Sequence, residues 1–524
     1  MTTAESARGS VAARTVTKEL VASLTRGVTG SERTACHSPF TGERLAELPQ
    51  ATPDEVAEAF ARARAAQPAW AALPVERRAR IGLRFHDLLL RRQSEILDIV
   101  QLETGKNRFS AHEEVQAVAM AARHYGRAAP GWLRPRRHLG AVPVLTQVRQ
   151  HRRPHGVVGH IAPWNYPLEL TAGDVLPALL AGNAVVMKPD TETALTALWA
   201  RRLLIEAGLP ADVWTVVLGQ GPVVGPLLVE HADYVTFTGS TRTGREVAQR
   251  AAARLIGSSL ELGGKNAMLV LRDANLERAA EGAMRACFSS TGQLCVSVER
   301  LLVHESVADA FVSRLVARVE ALRMGSELDY GIDLGSLSSA AQLATVTQHV
   351  EDARALGATV VTGGRPRPDL GPYFHEPTVL EGVRPPMRVY HEETFGPVVS
   401  VFRFGTEEEA VALANDTRYG LNASVWSRDG RRARRLAARL SCGTVNINEG
   451  YAAAYGSVGA PMGGMRDSGL GRRHGAEGLL KYTEAQTVAQ QRLLPLGPSG
   501  PLDDRRYARL LNVSLRAMKT LRIR

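Results

Sequence analysis

A regular alternation of short apolar runs with helical segments begins at Val157, and it limits the possible folds more than any other feature of the sequence. Residues 157–162 have the pattern of a buried strand, and further strand patterns cover 184–187, 213–218 and 234–238. Helical patterns over 168–180, 194–207, 222–230 and 245–255 follow these strands in turn. Four such repeats predict a parallel, doubly wound α/β sheet with helices on both faces. In such sheets, ligands bind beyond the carboxyl ends of the strands.

A second alternating region predicts a second α/β domain. Its strand patterns cover 267–271, 301–304, 398–404, 423–426 and 444–447, and its helical patterns cover 276–288, 308–322, 407–414 and 431–440. Cys295 lies in this region, and Glu261 lies at the hinge between the two regions. We therefore expect a cleft between two domains, where active sites commonly form.

The remaining segments have weaker patterns. Residues 1–35 are polar, and we interpret them as a loosely held arm. Helical spacing covers 53–72, 75–93 and 94–125, a break is expected at 130–143, and 144–150 could form a strand. The basic tail, residues 503–524, could form an amphipathic helix that contacts anionic membrane, although a surface helix or a frayed end is the favoured interpretation.

Composition restricts the class of protein. The chain has 524 residues, too many for one hydrophobic core, and its 44% hydrophobic and 22% charged residues are typical of soluble globular proteins. The sequence has no membrane-length apolar run and no signal-peptide pattern, so we expect a cytoplasmic location. The net charge of +11 comes mostly from scattered arginines without a zinc-finger or RNP motif, so we expect no specific nucleic-acid binding. The four cysteines have no metal-binding spacing, which predicts no metal site and a reduced, intracellular setting.

Two residues have the chemistry to make a thioester and then hydrolyse it. Cys295 follows Ser290, Thr291, Gly292, Gln293 and Leu294 just after an apolar helix, which indicates a nucleophile on a tight turn. Glu261 lies upstream in apolar and glycine surroundings, which would raise its pKa toward the range of a general base. A buried core thiol and a salt-bridged carboxylate are the alternative interpretations.

Three further features lie at predicted strand ends. The loop 237–244 could bring backbone N–H groups to a phosphate, but it lacks the Gly-Lys-Ser/Thr end of a P-loop, and a structural turn is equally compatible. Lys188 could hold a ribose or a phosphate, or it could be a solvated lysine. Asn165 could donate to a developing oxyanion together with the N–H of Cys295, or it could form an Asx-turn.

These segments, in this order, resemble the NAD(P)-dependent aldehyde dehydrogenase superfamily over about residues 35–490. The matching motifs are residues 163–165, 188–189, 237–240, 261–265, 292–295, 392–397 and 468–471. Within the superfamily the sequence is most similar to actinobacterial succinate-semialdehyde dehydrogenases of the second type.

The resemblance implies roles for individual residues. Cys295 would attack the aldehyde, Asn165 would hold the oxyanion, and Glu261 would activate the water that hydrolyses the thioester. The hydrolytic glutamate argues against a CoA-acylating or acyl-phosphate relative. The residues implied in cofactor binding are Trp164, Asn165, Lys188, Thr191, Gly239, Ser240, Leu262, Glu393 and Phe395.

The resemblance also implies an aldehyde-dehydrogenase-like α/β fold with two doubly wound domains, for cofactor and catalysis, and a small β oligomerisation arm. The expected division is an N-terminal arm (1–35), a cofactor-binding domain (36–139 and 151–260), a catalytic domain (261–455), the oligomerisation arm with its returning segment (140–150 and 456–491) and the basic tail (492–524). A homodimer or homotetramer is expected.

Two departures from the superfamily pattern bear on specificity. NAD-preferring members carry a glutamate where this chain has Thr191, which predicts use of NADP with NAD possible, although Asp190 and Glu192 flank the position. The arginines that hold the substrate carboxylate in better-known succinate-semialdehyde enzymes fall on Gly173 and Ser289, and only Ser457 matches. Oxidation of succinate semialdehyde to succinate is still expected from the resemblance. A neutral aliphatic or aromatic aldehyde is the alternative, and a non-enzymatic binding or structural protein is the alternative from another class.

Overall fold

Two central β-sheets organise the part of the chain that the computed structural model describes, which is residues 15–142, 145–493, 495–498, 500 and 503–522. The strands are β1 (Glu32–His37), β2 (Arg44–Gln50), β3 (Arg136–Leu139), β4 (Thr146–Pro154), β5 (Val157–Ile161), β6 (Ala184–Lys188), β7 (Trp214–Val216), β8 (Tyr234–Thr238), β9 (Gly257–Glu261), β10 (Asn266–Val270), β11 (Val298–His304), β12 (Thr359–Thr362), β13 (Thr378–Glu381), β14 (Val398–Phe404), β15 (Asn422–Trp426), β16 (Thr444–Ile447), β17 (Gly469–Leu470) and β18 (Thr483–Gln491).

The α-helices lie between these strands and at both ends. They are α1 (Lys18–Leu24), α2 (Pro53–Ala72), α3 (Val75–Arg91), α4 (Gln93–Thr104), α5 (Arg108–Leu133), α6 (Asp174–Ala181), α7 (Ala194–Glu206), α8 (Gly221–His231), α9 (Thr241–Ala253), α10 (Leu276–Phe288), α11 (Glu305–Glu320), α12 (Ala340–Ala355), α13 (Arg388–His391), α14 (Glu407–Asn415), α15 (Gly430–Ala437), α16 (Ala452–Tyr455), α17 (Gly475–Leu480) and α18 (Asp504–Thr520).

The first sheet is doubly wound, as predicted. Its strand order is β17-β9-β8-β5-β6-β7, and all neighbours are parallel except β17, which runs antiparallel to β9. Successive side chains of a strand point to opposite faces. Val157 and Val186 therefore join the core under α2, α8 and α9, whereas Val158 and Val185 join the core under α6 and α7.

The second sheet is built in the same way and carries the cysteine loop. Its order is β12-β13-β14-β11-β10-β15-β16, in which only the edge strand β12 is antiparallel to its neighbour. Met268 and Leu301 pack against α10 and α11 on one face, and Leu269 packs on the other. The predicted fold class is confirmed, with two α/β domains and a small sheet of order β18-β4-β3. The predicted domain boundaries stay predictions. Segments that are distant in sequence, such as β17 and β9, lie in one sheet, so a domain does not correspond to one continuous range.

Several local predictions were wrong. The predicted helix 168–180 begins with π-helical residues Glu169–Gly173, and the hairpin β1–β2 was not predicted. The expected break over 130–143 begins later than Pro130, because α5 continues through this proline to Leu133 and packs Trp132 and Leu133 against the core. Residue 143 of the predicted break and residue 144 of the predicted strand 144–150 lie outside the described residues.

The described part of the N-terminal arm is not loosely held. Thr17 caps α1 by accepting from the backbone N–H of Leu20, and Val16 and Leu24 are buried in the core of the first sheet. At the other end of the chain, α18 buries none of its side chains. No described helix has the length and hydropathy needed to cross a membrane.

Replacing Leu24 by alanine tests the attachment of α1. Truncating a buried leucine costs about 2–5 kcal/mol, so local opening of this segment becomes roughly 30-fold to several thousand-fold more frequent. We expect faster tryptic cleavage after Lys18 and Arg26, measured by mass spectrometry, while Ala22→Gln, at an exposed position of the same helix, leaves the rate nearly unchanged. Equal cleavage of Leu24→Ala and wild type would contradict the packing described here.

Candidate active site

Cys295 stands at the end of a turn with an unusual backbone. After α10 ends at Phe288, Ser290, Thr291 and Gly292 have φ values of 51°, 57° and 71°, in the left-handed region that favours glycine. A β-carbon on Gly292 would overlap the carbonyl of Gly396, so no larger residue fits there. A strained backbone of this kind persists only where contacts with the surrounding structure stabilise it.

The surroundings of this turn supply the necessary contacts. The Ser290 N–H donates to Ser110 Oγ at 3.1 Å, and Thr291 Oγ1 donates to the carbonyl of Gly335 at 3.3 Å. The Cys295 side chain is half-buried, and burial raises the pKa of its thiol to about 12, with the nearby Arg473 charge opposing the rise. Cys295 is therefore a neutral thiol at rest and needs a proton acceptor before it can act as a nucleophile.

Glu261 ends β9 as a buried carboxylate. Burial raises its pKa to about 7, while the Arg473 and Lys481 charges work in the opposite direction. Its Oε1 has no hydrogen-bond partner among the described residues, and its charge acts on Cys295. A carboxylate with a free oxygen and a pKa near neutrality is suited to general-base chemistry.

Asn165 lies beside the cysteine turn. Its side-chain Nδ2 donates to the backbone carbonyl of Gln293 at 3.0 Å, and its backbone carbonyl accepts from Lys106 Nζ at 2.7 Å. Lys106 is buried and forms a 2.6 Å ion pair with Glu114. Because Glu114 also accepts the N–H of Leu168 at 2.7 Å, this pair fixes the loop that carries Asn165.

The predicted cofactor residues meet at the carboxyl ends of parallel strands. Trp164 and Asn165 follow β5, Lys188 ends β6, Gly239 and Ser240 follow β8, and Leu262 follows β9. Burial lowers the pKa of Lys188, whereas Ser240 caps α9 by accepting from the N–H of Thr243 at 3.4 Å. An open cleft of about 640 Å³ lies beside this helix N-terminus, with Ser240, Arg242 and Glu393 in its wall. A helix N-terminus with a small residue before it suits a phosphate, so these residues fit a dinucleotide.

The second domain contributes Glu393 to the wall of this cleft and brings Phe395 against Trp164. Glu393 Oε1 accepts the N–H of Gly264 at 2.8 Å, and burial raises the pKa of Glu393 to about 8. The Phe395 ring meets the Trp164 ring edge-on at 5.6 Å, so residues from both domains touch here. The turn at Phe395 is held by Glu299, which accepts the Phe395 N–H at 2.9 Å.

A separate cavity of about 200 Å³ adjoins the cysteine turn. Both chain neighbours of Cys295 line it, and so do side chains from α5 and from the segment around α16. The lining residues are Glu113, Gln116, Ala117, Met120, Tyr166, Leu294, Val296, Tyr451, Ala452, Tyr455 and Gly456. Its mainly apolar and aromatic wall next to the thiol makes it the candidate substrate pocket.

Ser457 is not part of this lining. Its side chain is exposed, and its hydroxyl donates to the carbonyl of Ala453 at 2.7 Å, which closes the turn after α16. A β-carbon on Gly173 would lie 3.2 Å from the Glu169 carboxyl group, so a longer side chain at this position requires that carboxyl group to shift. The expected substrate role of Ser457 therefore has no support in this geometry.

The contacts of Thr191 and of the two carboxylates beside it bear on the cofactor preference. Thr191 is buried, and its hydroxyl donates to the carbonyl of Gly219 at 3.3 Å. Glu192 turns toward the N-terminal hairpin, where it accepts the His37 N–H at 3.2 Å. Asp190 accepts the N–H of Glu192 at 3.1 Å. Both flanking carboxylates thus have partners within the protein.

Sequence reasoning missed the charged residues that support the site. Glu114 has the helical spacing of Ala111 and Val118, which are buried apolar residues of α5. A carboxylate on this apolar face could therefore have been recognised from the sequence as a buried, paired residue. Arg473 gave no such signal. It donates to Glu169 at 3.0 Å and to Asp174 at 2.8 Å across about three hundred residues of sequence, a contact that only the fold creates.

Comparison with known proteins agrees with the geometry. The aldehyde dehydrogenase family matches residues 28–488 of this chain. A provisionally named succinate-semialdehyde dehydrogenase (NADP(+)) of Mycolicibacterium smegmatis is 51% identical over 486 residues, covering 92% of this chain and 93% of that protein. A similarly named protein of Mycobacterium tuberculosis H37Rv is 50% identical over 459 residues, covering 88% of this chain and 89% of that protein.

A solved structure indicates the same family. The NAD-dependent aldehyde dehydrogenase from Sinorhizobium meliloti has a TM-score of 0.86 and 35% identity to this chain, covering 90% of this chain and 94% of that one. The chain belongs to the aldehyde dehydrogenase family and is an aldehyde dehydrogenase.

Substituting Gly292 by alanine tests the strained turn. The overlap with Gly396 and the left-handed φ force the turn to move, and a shift of about 1 Å at a reacting group lowers the rate on the order of 100-fold. We expect that loss in kcat/KM for aldehyde oxidation. Gly131→Ala, at an open helical position, should keep full activity. Full activity of Gly292→Ala would contradict the role assigned to the turn.

Proposed function

We propose that this protein oxidises an aldehyde to its carboxylic acid through a covalent adduct on Cys295, with NADP⁺ as the preferred hydride acceptor and NAD⁺ as a second one. The observation that carries the proposal is the placement of a half-buried thiol on a strained turn within electrostatic reach of Glu261, a carboxylate whose Oε1 has no hydrogen-bond partner in the part of the chain that the structure describes. A nucleophile and a separately held base are the two groups that thioester formation and hydrolysis require.

The steps follow from the protonation states. The Cys295 sulfur attacks the aldehyde carbon while its proton passes to Glu261, directly or through water. Because the thiol pKa of about 12 exceeds the carboxyl pKa of about 7, this transfer is unfavourable on its own and is completed only as the carbon–sulfur bond forms. The Asn165 amide and the Cys295 backbone N–H donate to the oxygen of the resulting thiohemiacetal. NADP⁺, when bound, accepts the hydride whose loss converts this adduct to a thioester.

Hydrolysis completes the cycle. Glu261 returns its first proton to solvent and then takes one from water, which attacks the thioester carbon. The carbon–sulfur bond breaks, the carboxylic acid leaves, and the sulfur takes the proton that Glu261 holds. The unpartnered Oε1 of Glu261 is the atom that would hold the proton in both steps.

The proposed preference for NADP⁺ rests on position 191. Thr191 brings no negative charge to the strand end that carries Lys188, and Glu192 is directed to His37. A 2′-phosphate would therefore meet a lysine without a competing carboxylate from position 191. The relatives from Mycolicibacterium and Mycobacterium are named for NADP(+), which agrees with this proposal.

Thr191→Glu tests this preference. A carboxylate at position 191 would repel a 2′-phosphate and accept from a ribose hydroxyl, so kcat/KM should fall at least roughly tenfold with NADP⁺ and rise with NAD⁺. The matched control is Thr191→Gln, which has the same size without the charge. Equal behaviour of the two variants, measured as initial rates with both cofactors, would contradict the proposed basis.

The pKa of Glu261 predicts the pH dependence of hydrolysis. A base whose pKa is raised to about 7 is protonated below that pH and active above it, so the hydrolysis rate should rise with pH to a plateau with an inflection near 7. Glu261→Gln should remove the inflection and slow hydrolysis roughly 100- to 10,000-fold. Single-turnover measurements of acid release from pH 5 to about 9 check this. An unchanged inflection in Glu261→Gln would assign the base elsewhere.

Two observations favour different substrates. The names of the relatives at 50–51% identity favour succinate semialdehyde, which would be oxidised to succinate. The cavity beside Cys295 favours an aldehyde without a negative charge, because none of its described lining residues is a lysine or an arginine. Initial rates with succinate semialdehyde and with hexanal, each against Cys295→Ala as the blank, distinguish the two.

The cellular location and the oligomeric state are part of the same proposal. We infer a cytoplasmic location from the four cysteines, all of which are free. We infer a homodimer or homotetramer because β18 is exposed along nearly its whole length at the edge of the small sheet, and an open edge can pair with a second copy.

A further inference from the structure

The helix α18, near the end of the chain, carries apolar side chains on one face and exposes them to solvent. Successive residues are about 100° apart around a helix axis, so Tyr507, Leu511 and Met518 lie within about 40° of one another, with Leu515 beside them. None of the side chains of α18 is buried, and Leu511 and Leu515 expose 39% and 59% of their surface. A surface that covered this face would stabilise it by burying apolar area.

The opposite face of α18 is positively charged. Arg509 and Arg516 lie there, about 20° apart around the helix axis. Residues 503–524 contain seven lysines and arginines against two aspartates, and both aspartates stand at the start of the helix. The ion pair that α18 forms within the described part of the chain, between Arg506 and Asp503 at 3.7 Å, is at the same end. The charges further along the helix are therefore available to an anion outside the protein.

The small sheet that precedes α18 adds more positive charge. Its strands β3 and β4 contain five arginines, and Glu484 on β18 is the one acidic residue of the three strands. Arg137 stands directly opposite Arg149 across β3 and β4, and like charges in that arrangement are destabilising. Residues 492–503 connect this sheet to α18. An anionic surface beside this end of the chain would offset the repulsion.

Three kinds of partner could cover such a helix. A second copy of this chain complements it poorly, because each copy has a net charge of +11. A nucleic acid would neutralise the arginines but leave the leucines in water. An anionic lipid surface matches both faces, since its headgroups attract basic side chains and the acyl boundary below them accepts apolar ones.

We propose that α18 binds the surface of a membrane rich in anionic phospholipid, with its axis parallel to that surface. Tyr507, Leu511, Leu515 and Met518 enter the boundary between headgroups and acyl chains. The basic side chains are long enough to reach the headgroups while the helix lies flat. The inference goes beyond the proposed function and does not depend on it, because it concerns a surface outside the site at Cys295.

Sedimentation with vesicles tests the proposal on the full-length protein. We expect the protein to sediment with vesicles of equal parts phosphatidylglycerol and phosphatidylcholine, and to stay in solution with vesicles of phosphatidylcholine alone. Raising the salt from about 0.1 M to about 1 M shortens the Debye length from about 10 Å to about 3 Å, so the affinity for the anionic vesicles should fall at least roughly tenfold. Failure to bind the anionic vesicles, or equal binding to both types, would overturn the proposal.

Substitutions in α18 separate the contributions of its two faces. Leu511→Gln combined with Leu515→Gln should weaken binding to the anionic vesicles on the order of 30-fold, because two aliphatic side chains no longer leave water. The matched control is Val513→Gln, since Val513 is 62% exposed but lies about 160° from Leu511, and it should bind like the wild type. Arg516→Gln combined with Lys519→Gln should also weaken binding on the order of 30-fold, about fivefold for each charge.

Hydrogen exchange identifies the surface that covers the helix. With anionic vesicles, the amides of residues 504–520 should exchange more slowly in the wild type and in Val513→Gln, but not in the double leucine variant. Protection of this segment without vesicles, increasing with protein concentration, would assign the face to a second copy and overturn the proposal. Undiminished vesicle binding by the double leucine variant would show a purely electrostatic contact and overturn it as well.

Activity separates this inference from the proposed function. All the α18 variants should oxidise aldehydes in solution at the wild-type rate, which also shows that they are folded. A wild type that binds anionic vesicles through α18 but oxidises no aldehyde would overturn the proposed function and leave this inference standing.

Discussion

The left-handed turn at Ser290, Thr291 and Gly292 is the constraint on which the active site depends. Three consecutive residues with positive φ cannot be held by local sequence, because only glycine adopts this conformation without strain. The turn is stable because Ser110, Gly335 and Gly396 contact it from three separate segments. The position of Cys295 therefore depends on both domains.

Buried ion pairs position the loops that surround this turn. Lys106 with Glu114 fixes the loop of Asn165, and Lys265 with Glu299, at 2.5 Å, fixes the turn of Phe395. Burying charges costs several kcal/mol for each ion unless the partners compensate, so such pairs are weak evidence of stability. Their value here is positional, because each carboxylate also accepts a backbone N–H from a loop at the site.

Much of this architecture could be predicted from the sequence. The βα alternation was strong because strands such as β5 and β6 are buried on both faces and therefore mainly apolar. Cys295 and Glu261 stood out as reactive side chains in glycine-rich surroundings. Contacts between distant segments could not be predicted, since nothing near Arg473 in the sequence indicates Glu169 or Asp174. The expected substrate role of Ser457 stays a prediction, and the sequence could not show that its hydroxyl donates to the carbonyl of Ala453.

The central claim is that Cys295 carries the acyl group and that Glu261 releases it. The most direct measurement is peptide mass spectrometry of the Glu261→Gln variant after a single turnover with NADP⁺ and the aldehyde that the wild type oxidises fastest. The account predicts an acyl group on the peptide that contains Cys295, persisting long after the wild type has released its acid. An unmodified Cys295 together with undiminished acid release would contradict it.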